Sequence, residues 1–160
     1  MSPRYDAEWV AGLLGQERTD LERPETLLET IGLRRGDVVA DIGCGPGFFT
    51  LPAARIVGKE GHVHAIDTEA AMLELVEERV DEQGLDNVTA ILTMGEQAPL
   101  PDSSCDAVIC GLVLHHLDAA HRARMAGELA RLCKPNGAVL AVELSLIHIS
   151  EPTRQAELSY

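Results

Sequence analysis

Aromatic side chains are nearly absent from this sequence: two Phe, two Tyr and one Trp make up 3% of its 160 residues. A core built from it has to be aliphatic, of Leu, Val, Ile and Ala, and the length suffices for one domain around one such core. Positive charge is scarce as well. Thirteen Lys and Arg stand against 26 Asp and Glu, for a formal net charge of −13. That balance disfavours a sequence-independent grip on nucleic-acid phosphates or on an anionic membrane, both of which need clustered cations. No apolar run approaches the ~20 residues of a membrane span, and no N-terminal stretch has the pattern of a signal peptide. A soluble, cytoplasmic protein with no nucleic-acid partner and no membrane span is expected. The four cysteines, Cys44, Cys105, Cys110 and Cys133, form no C-x-x-C pair and join no His cluster of zinc spacing. Buried free thiols and no metal are the expectation. Nothing in the pattern sets an oligomeric state.

What the sequence does have is concentrated in Val38-Val39-Ala40-Asp41-Ile42-Gly43-Cys44-Gly45-Pro46-Gly47. A β-branched apolar run ends in an acid, glycines follow at alternate positions, and a helical pattern comes next. Without a Cβ the chain can turn tightly and bring backbone N–H groups against a ligand. The dinucleotide fingerprint G-x-G-x-x-G does the same for a pyrophosphate, but two features depart from it. Pro46 removes one N–H donor, and Asp41 stands before the first glycine, where a carboxylate repels a pyrophosphate and attracts an ammonium group. A ligand with an amino acid moiety and a cationic centre suits that loop better than NAD, and S-adenosylmethionine is such a ligand.

The segment Asp41-Ile42-Gly43-Cys44-Gly45-Pro46-Gly47 resembles the cofactor loop of class I S-adenosylmethionine-dependent methyltransferases. It is most similar to the small-molecule subgroup that includes the ubiquinone/menaquinone-biosynthesis methyltransferases. A second acid, a third and a closing Lys134-Pro135-Asn136-Gly137 turn follow in the family's order, so that the resemblance runs from about Leu33 to Glu143.

Strands are read at Asp37–Ile42, His62–Ile66, Val88–Leu92, Ala107–Leu112 and Ala138–Glu143, the first a continuous apolar run of the kind buried in parallel sheets. Helices are read at Pro24–Ile31, Phe48–Val57, Thr68–Gln83 and Asp118–Cys133. On the third of these Met72, Leu75, Val76 and Val80 line one side. The alternation indicates an α/β fold: a doubly wound, mainly parallel sheet with right-handed crossovers, Rossmann-like, with about five strands present and the late strands of the resembling fold missing.

In such sheets ligands bind at the carboxyl ends of the strands, near the switch in strand order. The candidates fall there: Asp41, Gly43, Cys44, Gly45 and Gly47 after the first strand, with Phe48 beyond them; Asp67 after the second; Glu96 and Gln97 after the third; Gly111 and Leu112 at the end of the fourth. Asp67 can accept from both ribose hydroxyls, or cap the helix that begins near Thr68. Thr68 and Met72 can pack around adenosine, though Met72 equally suits the core. The resemblance puts Glu96 and Gln97 beside the adenine, where the family more often has Asp; a solvated loop acid is the alternative for Glu96. His115 and His116 resemble the His-His pair of the subgroup. One of them can serve as general base towards a substrate hydroxyl or enol, or the pair can cap the next helix. The resemblance implies S-adenosylmethionine as cofactor and a small-molecule methyl acceptor as partner. Two other readings stand beside it: a truncated fragment that binds cofactor without turnover, and a NAD-binding dehydrogenase domain.

Both ends are read separately from the core at 33–143. In residues 1–32, Asp6 can cap a helix with Trp9, Val10, Leu13 and Leu14 on one face. In the resembling family such helices fold over the site as a lid, where Tyr5 and Trp9 can serve or can simply anchor to the body. At the other end, Leu144-Ser145-Leu146-Ile147-His148-Ile149-Ser150-Glu151-Pro152-Thr153-Arg154 resembles the translation of a transposase adaptor from sequencing libraries. Residues 144–160 are therefore read as a non-native tail, the alternative being a genuine strand at Leu144–Ile149. With the tail excluded, the fifth strand is expected to be an exposed edge.

Overall fold

The computed structural model describes residues 23–95, 97–111, 118–142, 147–150 and 158–159. The expected first helix with Tyr5 and Trp9, and the candidates Glu96, Leu112, His115 and His116, lie outside them.

Five strands run parallel: β1 (Val38–Ile42), β2 (His62–Asp67), β3 (Val88–Leu92), β4 (Cys105–Gly111) and β5 (Cys133–Val142). Helices α1 (Pro24–Thr30), α2 (Thr50–Val57), α3 (Ala70–Glu82) and α4 (Ala119–Leu132) flank them. The sheet order is β3-β2-β1-β4-β5, continued by β6 (Ile147–Ser150) and β7 (Leu158–Ser159). This is the doubly wound arrangement, and its order reverses between β1 and β4. The loops leaving those two strands therefore diverge and open a crevice at their carboxyl ends.

Alternation along the strands fills the two faces. Val39, Val63, Ala107, Ile109 and Leu140 pack with α1 and α2 through Leu28, Phe49, Ala53 and Val57. Ala40, Ile66, Val108 and Cys110 pack with Met125, Leu129 and Leu132 of α4. All four cysteines are free and buried. Local chemistry sets the helix ends. Pro24 opens α1. Asn87 Nδ2 reaches back to the carbonyls of Ala54 and Gly58, at 2.9 and 2.8 Å, and closes α2. Asp118 caps α4 by accepting from the His121 N–H at 2.8 Å.

Three expectations need correction. The Lys134–Gly137 segment lies within β5, whose register against β4 is irregular between Cys105 and Ala107; Asp106 there accepts from the Val38 N–H and from Lys134 Nζ. On α3 the buried set is Met72, Leu73, Val76 and Val80, with Leu75 only half-buried. Finally, β5 is not an edge: Ile147–Ser150 pairs with it antiparallel, Leu140 opposite Ile149. Isoleucines alternating with His148 and Ser150 suit a strand, and the unpaired N–H and C=O groups of β5 are a template for one.

Candidate cofactor site at the carboxyl ends of the strands

The loop after β1 turns through Gly43, Gly45 and Gly47, at φ of 66°, 55° and 97°. These left-handed conformations explain the alternating glycines. The donors of this loop, however, face the protein. Gly43 and Cys44 both donate to the carbonyl of Ile66, at 2.8 and 3.0 Å, and Gly47 donates to that of Cys44 at 3.1 Å. Gly45 donates to Asp67 Oδ2 at 2.9 Å. Pro46 has no N–H to give. The sequence expectation that this loop offers its N–H groups to a ligand is thus replaced: what it offers is bare backbone. A Cβ built on Gly45 would meet nothing within 4 Å, so a ligand can approach the chain there. Gly47 instead faces Val76 and Leu51 at 3.4–3.7 Å and seats the loop on α3 and α2.

Two acids lie beneath and beside this loop. Asp67, half-buried at the end of β2, accepts from Gly45 through Oδ2 and from the Glu69 N–H through Oδ1 at 2.9 Å. Each oxygen keeps a second lone pair, so the carboxylate can still take two hydroxyl donors. Asp41 is 1% exposed and accepts from the buried Thr50 hydroxyl at 2.6 Å. Burial, with the nearby Asp67 charge, pushes its carboxyl up to about 7, against the lowering effect of the Thr50 hydrogen bond. It therefore sits behind the loop as a group poised between neutral and charged. Burial and the same two acids hold the Cys44 thiol well above its usual range; Cys44 acts as a small apolar residue. Phe48 stands edge-on to Phe49, ring centroids 5.2 Å apart. The Phe49 ring packs on Gly111 at the end of β4, where a Cβ would come within 2.9 Å of it.

The remaining candidates divide. Thr68 is exposed, whereas Met72 is buried at 2% and belongs to the α3 packing. Gln97 is exposed, with its carbonyl accepting from the Thr93 hydroxyl at 3.1 Å. Sequence reasoning missed three neighbours. Thr50 is one; Glu128 and Arg131 on α4 are the others, the former 6% exposed. Glu128 accepts from the Ala98 N–H at 2.7 Å, while Arg131 pairs with Glu128 and donates to the carbonyls of Ala98 and Leu100 at 3.0 and 2.8 Å. Their i, i+3 spacing on a helix was the available signal.

Comparison with known proteins gives the framework a family. A family model described as a methyltransferase domain matches residues 39–137. The chain belongs to this family. It is 30% identical over 128 residues to a demethylmenaquinone methyltransferase of Geobacillus stearothermophilus, covering 80% of this chain and 54% of that protein. It is 32% identical to the ubiquinone/menaquinone biosynthesis C-methyltransferase UbiE of Azotobacter vinelandii, covering 74% of this chain and 46% of that protein. A crystal structure of a SAM-dependent methyltransferase from Aquifex aeolicus superposes with a TM-score of 0.77 at 30% identity, over 88% of this chain and 73% of that one. The chain spans about half the length of the curated relatives it matches. It is thus an S-adenosylmethionine-dependent methyltransferase domain of Rossmann-like fold. Among the described residues no helix is long and apolar enough to cross a membrane, and no group of three or more His, Cys, Asp or Glu is placed to hold a metal.

Proposed function

We propose that this domain binds S-adenosylmethionine across the carboxyl ends of β1, β2 and β3. As part of its whole protein, it would serve methyl transfer to a small-molecule acceptor of the quinone type named for its curated relatives. The observation that carries the reading is the open backbone at Gly45, hydrogen-bonded to the Asp67 carboxylate beside it. The amino acid end of the cofactor lies over Gly43–Gly47, the ribose hydroxyls donate to Asp67, and the adenine reaches the segment at Glu96 and Gln97. When bound, the cofactor supplies a methyl group already activated on a sulfonium for in-line displacement. The chain's own part is alignment and exclusion of water, worth ~7–11 kcal/mol for well-oriented reactants. The Asp67 carboxylate beside the loop favours a cationic ligand, and such a ligand in turn favours release of the proton held by the buried Asp41. His115 or His116 takes a proton from the acceptor, and the segment that precedes α1 closes over the site. Residues 144–160 take no part in it.

Calorimetric titration tests this, with S-adenosylmethionine and S-adenosylhomocysteine as ligands, NAD as control ligand and Asp67→Ala as control protein. Micromolar binding of the first two, absent for NAD and lost in the variant, is expected. A folded chain that binds neither sinks the reading.

A further inference from the structure

The connection from β3 to β4, residues 93–104, has no helix among its described residues, yet its middle is held from both sides by one ion pair. Glu128 takes the N–H of Ala98, and Arg131 takes the carbonyl of the same residue and that of Leu100. Arg131 also reaches Asp102 Oδ1 at 2.7 Å, so one guanidinium spans the loop from its buried middle to its exposed shoulder. Ala98 and Leu100 also pack on the core beneath α4, while Gln97 before them is exposed. Gln97 borders an open cleft of about 480 Å³ whose other walls are Arg124, Gly127, Glu128 and Arg131, and a Cβ on Gly127 would meet nothing within 4 Å. The peptide immediately following Gln97 is thus located by burial of Ala98 against α4 and, in direction, by the polar contacts of Glu128 and Arg131. The planar fork of Arg131 suits that task, since it fixes direction as well as distance.

We propose that Glu128 and Arg131 are positioning residues for purine selection: through Ala98 they set where the adjoining Gln97 stands, and so the ability of the site to tell an adenine from a purine lacking its exocyclic amine. This rests on the reading that the adenine meets Glu96 and Gln97. α4, whose N-terminus follows β4, thereby bears on a ligand contact after β3, with β2 and β1 lying between those two strands in the sheet.

The test is a ratio. The full chain is titrated with S-adenosylhomocysteine and with S-inosylhomocysteine, which carries an oxo group in place of the amine. Wild type is expected to prefer the adenine form by about tenfold or more, the worth of one well-made hydrogen bond that is lost and leaves a partner unsatisfied. Arg131→Lys keeps the charge but loses the fork, and it should bring the ratio below about threefold. Glu128→Leu should do likewise, while Glu128→Gln, which still offers an oxygen to Ala98, should restore most of it. Equal weakening of both ligands with the ratio intact in Arg131→Lys would show that the pair merely stabilises the fold, and overturns the inference while leaving cofactor binding standing. A wild type that binds both purines alike overturns the adenine contact itself, and the inference with it. If Glu128→Leu does not fold, Asp102→Asn, altered at the exposed shoulder, supplies the second variant; an unchanged ratio in it and in Arg131→Lys counts against the proposal.

Discussion

Two loops leave the carboxyl ends of β1 and β3, and they are held by different means. The loop after β1 is fixed by its own backbone: left-handed glycines, N–H groups turned onto Ile66 and Cys44, and one carboxylate from the neighbouring strand. The crossing after β3 is fixed by side chains of a distant helix, Glu128 and Arg131. A backbone-held loop carries its instructions in its own residues. A side-chain-held loop carries them thirty residues away. The first can approach a ligand closely and tolerates little change, while the second is adjustable and depends on the integrity of one ion pair.

Acidity is expected to divide the two most strongly. The folded state holds a proton on Asp41 over the range between the ordinary carboxylate value, about 4, and about 7, where the unfolded chain has released it. Stability from this group is therefore complete below about pH 4 and is lost as pH rises through 7, by on the order of 4 kcal/mol. Asp41→Asn keeps a neutral side chain at every pH, so urea melts of wild type and variant across pH 4–8 should lie closest at the low end and separate as wild type loses stability towards pH 7; parallel curves would refute the assignment. Glu128 has the opposite sign. Its pairing with Arg131 lowers its carboxyl, so its contribution is present above the unfolded value and fades as pH falls through the folded one.

Next in size is Asp67→Ala, which removes the proposed ribose acceptor together with the anchor of Gly45. A loss of cofactor affinity of at least about a hundredfold is expected, roughly 2.7 kcal/mol, with Asp67→Asn intermediate in the same titration. Breaking the second loop by Glu128→Leu leaves the Ala98 N–H unsatisfied and Arg131 short of its charge partner. A destabilisation of about 2–3 kcal/mol by urea unfolding is expected. Gly45→Ala should cost about 1–2 kcal/mol of stability, the strain of a left-handed alanine. Its methyl group enters the open space at the loop, so cofactor binding should weaken by more than stability falls; equal losses would mean that no ligand approaches there. At the bottom of the scale stands the exposed pair Arg35–Glu60, both side chains more than half exposed. Arg35→Ala should leave the melting temperature unchanged.

The same contrast decides what could be read from the residues alone. The strands, the helices and the loop at Gly43–Gly47 were legible because apolar runs, helical periodicity and glycine spacing are local signals. Even there the direction of the N–H groups was not, since it depends on where the Ile66 carbonyl comes to lie. The phase of α3 escaped for a related reason: Leu73 and Leu75 both fit an apolar stripe, and only the packing of Cys44 and Leu51 with Leu73, Val76 and Val80 selects Leu73. Glu128 was hidden because a buried acid among helical polar residues looks like a solvated one until its partners are known. The start of β4 at Cys105, two residues ahead of the apolar run from Ala107, depends on Asp106 closing onto Val38 across the sheet.

The bond between Gly45 and Asp67 has a consequence for anyone redesigning this pocket. On the binding mode proposed above, the part of the site that grips one end of the cofactor and the part that grips its sugar share a single carboxylate, so they cannot be tuned independently. A library that varies Asp67 to admit a modified ribose will also let the glycine loop drift. Variants that succeed will carry a second change that gives the Gly45 N–H a new acceptor.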